Sequence, residues 1–161
     1  MRRMRLWIVI LAALVFAADR TLKVWVATHM VLGQSITVIP GVLWITYITN
    51  SGAAFSLFQH ATILFVMIGF VILVGLAWYL AVVPTITCTF GIGAGLLGGG
   101  TAGNLWDRLV SGRVIDFVHF RYWAIFNLAD AAIVTGIALI VIDLWRKDRI
   151  GQPPRSEGRS L

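Results

Sequence analysis

Two of the seven acidic residues stand among apolar neighbours: Asp116 lies in GRVIDFVHF, and Asp130 is the only charge between Tyr122 and Ile142. Two carboxylates brought to one site cannot both ionise easily. One keeps its proton, and the pair becomes a general acid and a general base around a water, which is the chemistry of an aspartic protease. The separation of 14 residues lets the chain return on itself but does not require it. For Asp130 a second use stays open, capping the first turn of a helix, where backbone N–H groups lack partners.

Other polar residues cluster toward the same side: Asn50, Asn104, Asp107, Arg108 and Asn127. Asn127 stands three residues before Asp130, so the two share a helical face. Asn and Arg can donate to a carboxylate or to a substrate carbonyl, although Arg108 can also simply pair with Asp107. Asp19 and Lys23 are spaced i,i+4, as a local structural ion pair would be. Gly93-x-Gly95-x-x-Gly98 formally matches a dinucleotide fingerprint, but no strand precedes it. In an uncharged segment, Gly91-x-x-x-Gly95 and Gly95-x-x-x-Gly99 indicate close helix packing instead. His29, His60 and His119 lack metal-ligand spacing and Cys88 is the one cysteine, so neither a metal nor a cofactor is expected.

The elements that must carry these groups are set by composition. Of 161 residues, 59% are hydrophobic and 12% charged, with a mean hydropathy of +0.89, against about 45–50% apolar and about 25% charged in soluble domains. No Asp, Glu, Lys or Arg occurs from Val24 to Trp106. These features indicate a membrane protein and exclude a soluble enzyme, a disordered chain and a nucleic-acid binder. Four stretches reach the about 20 residues of a membrane span, at about 6–27, 61–83, 86–106 and 122–144. The first also resembles a secretory signal peptide, but its apolar character continues past Lys23, which favours a retained helix.

Eight of the thirteen basic residues sit at the two ends, and Val83-Pro84-Thr85 joins the middle spans in antiparallel fashion. Both termini are therefore expected in the cytoplasm, with about 28–60 and 107–121 outside. Within the first outer segment, ITVIPGVLWITYIT reads as a small β-hairpin at the interface. The expected fold class is an all-α polytopic membrane protein, four transmembrane helices with a small extracytoplasmic β-hairpin or β-cradle element. Residues 1–150 form its single membrane-embedded domain, and 151–161 a disordered cytoplasmic tail.

Taken together, Asp19-x-x-x-Lys23, TYITNSGAAFS (46–56), GGGTAGNLWDRLVSGRVIDFVHF (98–120) and FNLAD (126–130) closely resemble bacterial lipoprotein signal peptidase, also called signal peptidase II. The resemblance runs from the first helix through the fourth. It implies a cytoplasmic (inner) membrane aspartic endopeptidase, a monomer that meets its substrate among membrane lipid near the extracytoplasmic face. The implied substrates are diacylglyceryl-modified prolipoproteins, cut just before the lipidated cysteine, with no metal, no cofactor and no nucleic acid. Asp116 and Asp130 match the catalytic pair. Asn50, Gly52, Asn104, Arg108, Asn127 and Ala129 match positions that line or support the site, and Asp19 and Lys23 match structural positions. Trp44-Ile45 departs from the family's common pattern, away from the dyad. The alternative from another class is a small transporter or ion-relay subunit using the same carboxylates.

Overall fold

The computed structural model describes residues 2–52 and 61–151. The segment 53–60, which holds the end of the TYITNSGAAFS block, and residues 152–161 of the expected tail lie outside the described residues.

Among the described residues, four long helices and one small sheet build the fold: α1 (Arg2–His29), β1 (Ser35–Ile39), β2 (Leu43–Asn50), α2 (Thr62–Val82), α3 (Cys88–Ser111), β3 (Val114–Phe120) and α4 (Leu128–Gly151). Helix α3 is the central post, packing against α1, α2 and α4. Its sequence explains why: it presents glycine to its neighbours, so backbones meet where side chains would stand. A Cβ on Gly99 would sit 2.5 Å from Ala12 O, and one on Gly100 would sit 2.5 Å from Ala129 O. Thr87 caps its start, accepting from Phe90 N at 3.2 Å, and left-handed Gly112 (φ 72°) ends it.

Helix α2 differs in kind. Gly69 is its only buried residue, while Ile63, Val71 and Trp78 are exposed. An apolar helix with apolar side chains turned outward is one that faces lipid. Two helices, Thr62–Val82 and Leu128–Arg149, are long and apolar enough to cross a membrane. Helix α1 carries Asp19, Arg20 and Lys23, which dilute its hydropathy with charge, whereas α3 is uncharged up to Trp106 and is diluted by its glycines. An apolar groove of about 320 Å³ runs between α2 and α4 over the α3 surface.

The two basic ends lie together. Arg5 Nη2 donates to Val83 O at 2.9 Å beside the α2–α3 turn, and Lys147 Nζ lies 5.9 Å from the Phe90 ring centroid. At the opposite end sits an antiparallel sheet in the order β1-β2-β3, with Ser35 opposite Thr46 and Ile48 opposite Asp116. Pro40 and Gly41 (φ 75°) turn the β1–β2 hairpin. Val26, Met30 and Phe117 form the apolar plug joining α1 to this sheet, with Tyr47 and Leu128 packed around it.

Three expectations need correction. The β element is larger than the hairpin read in the sequence: GRVIDFVHF adds a third strand to it. Helix α3 runs on to Ser111, so the connecting segment expected from 107 begins later. Helix α4 starts at Leu128 rather than 122 and continues to Gly151 rather than 144. Its apolar run does begin at Tyr122, but Phe126 pairs with Val118 as a β-bridge and so cannot enter the helix.

Candidate active site

Helix α4 opens with a reciprocal cap. Asn127 Oδ1 accepts from Asp130 N at 2.9 Å, and Asp130 Oδ2 accepts from Asn127 N at 3.3 Å. This is capping-box geometry, Asn at the cap and an acid three residues on. It occupies one oxygen of Asp130 and leaves the other for chemistry. That oxygen, Oδ1, accepts from Asn104 Nδ2 of α3 at 2.6 Å.

Asp116 arrives from β3. It is 2% exposed, with Oδ1 accepting from Asn127 Nδ2 at 2.7 Å and Oδ2 from Asn50 Nδ2 at 3.3 Å. Asn127, itself fully buried, thus touches both carboxylates, through its side chain on one and its backbone on the other. Burial, and secondarily the charge of Asp130, push the Asp116 carboxyl up to about 7. The amide hydrogen bonds from Asn127 and Asn50 pull the other way without cancelling this rise. The pair therefore holds one proton readily at neutral pH, and Asp116 is where burial favours it.

Asp116 and Asp130 line one cavity of about 500 Å³, together with Asn50, Gly52, Arg108, Trp123, Ile125, Phe126 and a stretch of α4 from Ala131 to Thr135. Its wall is apolar apart from these few groups, as ligand sites are. Gly52 N donates to Asn50 Oδ1 at 2.9 Å, which turns the Asn50 amide nitrogen toward Asp116. Arg108 donates to Gly52 O at 3.2 Å and to Asn104 O at 3.4 Å, and its guanidinium lies 4.8 Å from the Phe65 ring centroid. The Arg108–Asp107 pairing that the sequence allowed is not formed. Asp107 turns instead to Arg20 and Lys23 of α1.

Ala129 is fully buried against Gly100, and its N–H donates to Asp19 Oδ1 at 3.0 Å. Asp19 and Lys23 form the expected i,i+4 ion pair at 2.8 Å, both fully buried. Every residue that the sequence assigned to the site thus falls in or directly behind one cavity. Sequence reasoning missed Arg20, whose partner Asp107 is 87 positions away with no local signal to reveal it. It also missed Trp123 and Phe126 as cavity walls, because their apolar character was absorbed into the helix that follows.

The Signal peptidase (SPase) II family model matches residues 11–146. The chain is 39% identical over 147 residues to the lipoprotein signal peptidase of Desulfitobacterium hafniense, covering 91% of this chain and 96% of that one. It is 43% identical over 136 residues to the lipoprotein signal peptidase of Pelotomaculum thermopropionicum, covering 84% and 89%. A bacterial membrane enzyme solved by the in meso method at 2.3 Å resolution superposes with a TM-score of 0.85 at 29% identity, over 93% of this chain and 94% of that one. A second such enzyme, solved at 1.9 Å, gives a TM-score of 0.77 at 32% identity, over 85% and 91%.

Proposed function

Because the chain belongs to the signal peptidase II family, we propose that it works as an aspartic endopeptidase with Asp116 and Asp130 as its catalytic pair. It is a membrane protease that removes signal peptides from prolipoproteins. The observation that carries the aspartic reading is the shared cavity, in which Asn127 ties two carboxylates together and burial raises Asp116 to about 7.

The steps follow from which carboxyl holds the proton. Asp130, ionised, takes a proton from water as the water oxygen attacks the scissile carbonyl carbon. Asp116, protonated, gives its proton to the carbonyl oxygen. The tetrahedral intermediate then collapses: Asp130 returns its proton to the leaving amine, and the hydroxyl proton goes back to Asp116. Both carboxyls end as they began, and one water has been added across the peptide bond. Asn50, Asn104 and Asn127 hold the carboxylates in place, Arg108 and Gly52 shape the cavity mouth, and Ala129 lets α4 approach α3.

In this reading the cut falls just before a cysteine carrying a diacylglyceryl group. Four spans place both termini in the cytoplasm and the cavity near the outer face of the inner membrane. The lipid anchor of the substrate then holds the scissile bond at the depth of the dyad. The protein acts as a monomer, with one membrane-embedded domain over residues 1–150. The ion-relay alternative is not favoured, since the relatives are peptidases.

Purified protein in detergent should cleave a diacylglyceryl-modified prolipoprotein and leave the same unmodified precursor intact. Equal cleavage of both would overturn the lipid requirement. Turnover by a folded Asp130→Asn variant would overturn the aspartic mechanism.

A further inference from the structure

Lys23 is a fully buried ammonium, and nothing in the reaction as written uses it. Its Nζ lies 2.8 Å from Asp19 Oδ2 and 2.8 Å from Asp107 Oδ2, and it donates to Asn104 Oδ1 at 2.9 Å. The two carboxylates flank the ammonium as ion pairs, and the amide oxygen takes its hydrogen bond. Two of those acceptors neutralise charge. The third is the neutral amide whose other end holds Asp130.

An asparagine side chain presents oxygen on one side and N–H on the other, so whatever fixes one side fixes both. With Oδ1 of Asn104 held by Lys23, Nδ2 must face Asp130 Oδ1, as it does at 2.6 Å. Asn127 Nδ2 also reaches Asn104 Oδ1, at 3.1 Å, but its two hydrogens are divided among that oxygen, Ile115 O at 3.3 Å and Asp116 Oδ1 at 2.7 Å. The charged donor is the committed one. Were the amide reversed, its oxygen would face a carboxylate oxygen, an arrangement that only a protonated Asp130 tolerates.

We propose that Lys23 is a positioning residue for the dyad: by holding the Asn104 amide it keeps a donor on Asp130 and thereby keeps Asp130 the ionised member. This rests on the aspartic reading above. The charged groups around the relay are Asp19, Arg20 and Lys23 from α1, Asp107 and Arg108 from α3, Asp116 from β3 and Asp130 from α4.

Lys23→Met alone would leave Asp19 without a cation, so the test uses the Asp19→Asn/Lys23→Met double variant. There Asp107 keeps Arg20, the amide oxygen introduced by Asp19→Asn can still accept from Ala129 N, and no buried charge is orphaned. Asp19→Asn alone, which retains Lys23 on Asn104, is the comparator. Relative to it, the double variant should lose about tenfold or more in kcat with KM within about twofold, and the acid limb of its pH profile should move upward as the dyad loses the donor that Asn104 supplies. The same upward shift should appear in the carboxyl titration of aspartate-labelled protein followed by carbon-13 NMR, a readout that needs no turnover and stands even if the peptidase reading fails. Equal kcat in the two variants, an unmoved titration, or a double variant that does not fold would each overturn the proposal.

Discussion

Asn127 and Asp130 exchange hydrogen bonds across the first turn of α4, side chain to backbone in both directions. The exchange lets one residue pair serve as helix cap and, in the proposed mechanism, as support for the dyad. The two readings of Asp130 that its sequence left open are therefore compatible, one for each carboxylate oxygen.

Substituting asparagine for either carboxylate should separate these roles. The Asp130→Asn side chain retains an oxygen for the Asn127 N–H but cannot take a proton from water, and Asp116→Asn removes the acid that donates to the carbonyl. Each single variant should lose nearly all turnover while still folding, with a modest loss of stability because one amide N–H faces another donor, and the double should be little worse in turnover, as members of one catalytic unit behave. Steady-state cleavage assays with melting temperatures in detergent check this, and additive losses would contradict it.

Activity should fall as pH rises past about 7, where Asp116 gives up its proton. The limbs of the profile belong to the pair rather than to one residue. Stability has a definite sign as well. Between the ordinary carboxylate value of 3.8 and about 7, the folded chain keeps a proton that the unfolded chain has lost. This group's contribution to stability therefore declines with rising pH across that window and is constant outside it. Melting curves should show the slope in wild type, and Asp116→Asn should flatten it.

Gly100→Ala and Gly75→Ala form an opposed pair. A Cβ at 100 would meet Ala129 O at 2.5 Å and Ile133 Cγ1 at 3.0 Å, whereas nothing lies within 4 Å of one at 75. The first should cost about 1–3 kcal/mol by overpacking and also reduce kcat, since it pushes Ala129 and with it Asp130. The second should be neutral or stabilising by about 0.5–1 kcal/mol, the usual gain for alanine over glycine in a helix interior. Thermal unfolding and cleavage rates measured together separate the two effects.

Reporter fusions test the proposed orientation. Arg5 and Lys147 lie beside the α2–α3 turn, at the opposite end from the sheet. A fusion after Arg149 should report the cytoplasm and one within 31–40 the outside. Two fusions on the same side would break the four-span arrangement.

Much of the site was legible because charges and amides are conspicuous in an apolar chain. Asp116, Asp130, Asn104 and Asn127 stand out because lipid tolerates such groups only when they have partners. What stayed hidden were pairings across sequence distance and one change of periodicity. VIDFVHF buries Val114, Asp116 and Phe117, so its burial departs from simple alternation and disguises a strand. The start of α4 was obscured because hydropathy runs unbroken from Tyr122 through Ile125, while the bridge that excludes Phe126 from the helix depends on Val118. Arg20 gave no sign at all, since only the approach of α1 to α3 brings it to Asp107.

Helices α1, α3 and α4 meet backbone against backbone through glycine, while α2 packs mainly on α3 and leaves a groove beside α4. The two flanks are thus held in different ways, by main chain on one side and by side chains on the other. Displacing α4 would crush main-chain contacts at Gly93 and Gly100, whereas α2 is held on α3 by side chains, through Gly69–Leu105, Leu76 against Gly98 and the stacked rings of Tyr79 and Phe90. Asp130 stands on the flank where main chain meets main chain, so its alignment rests on backbone contacts rather than on side-chain rotamers.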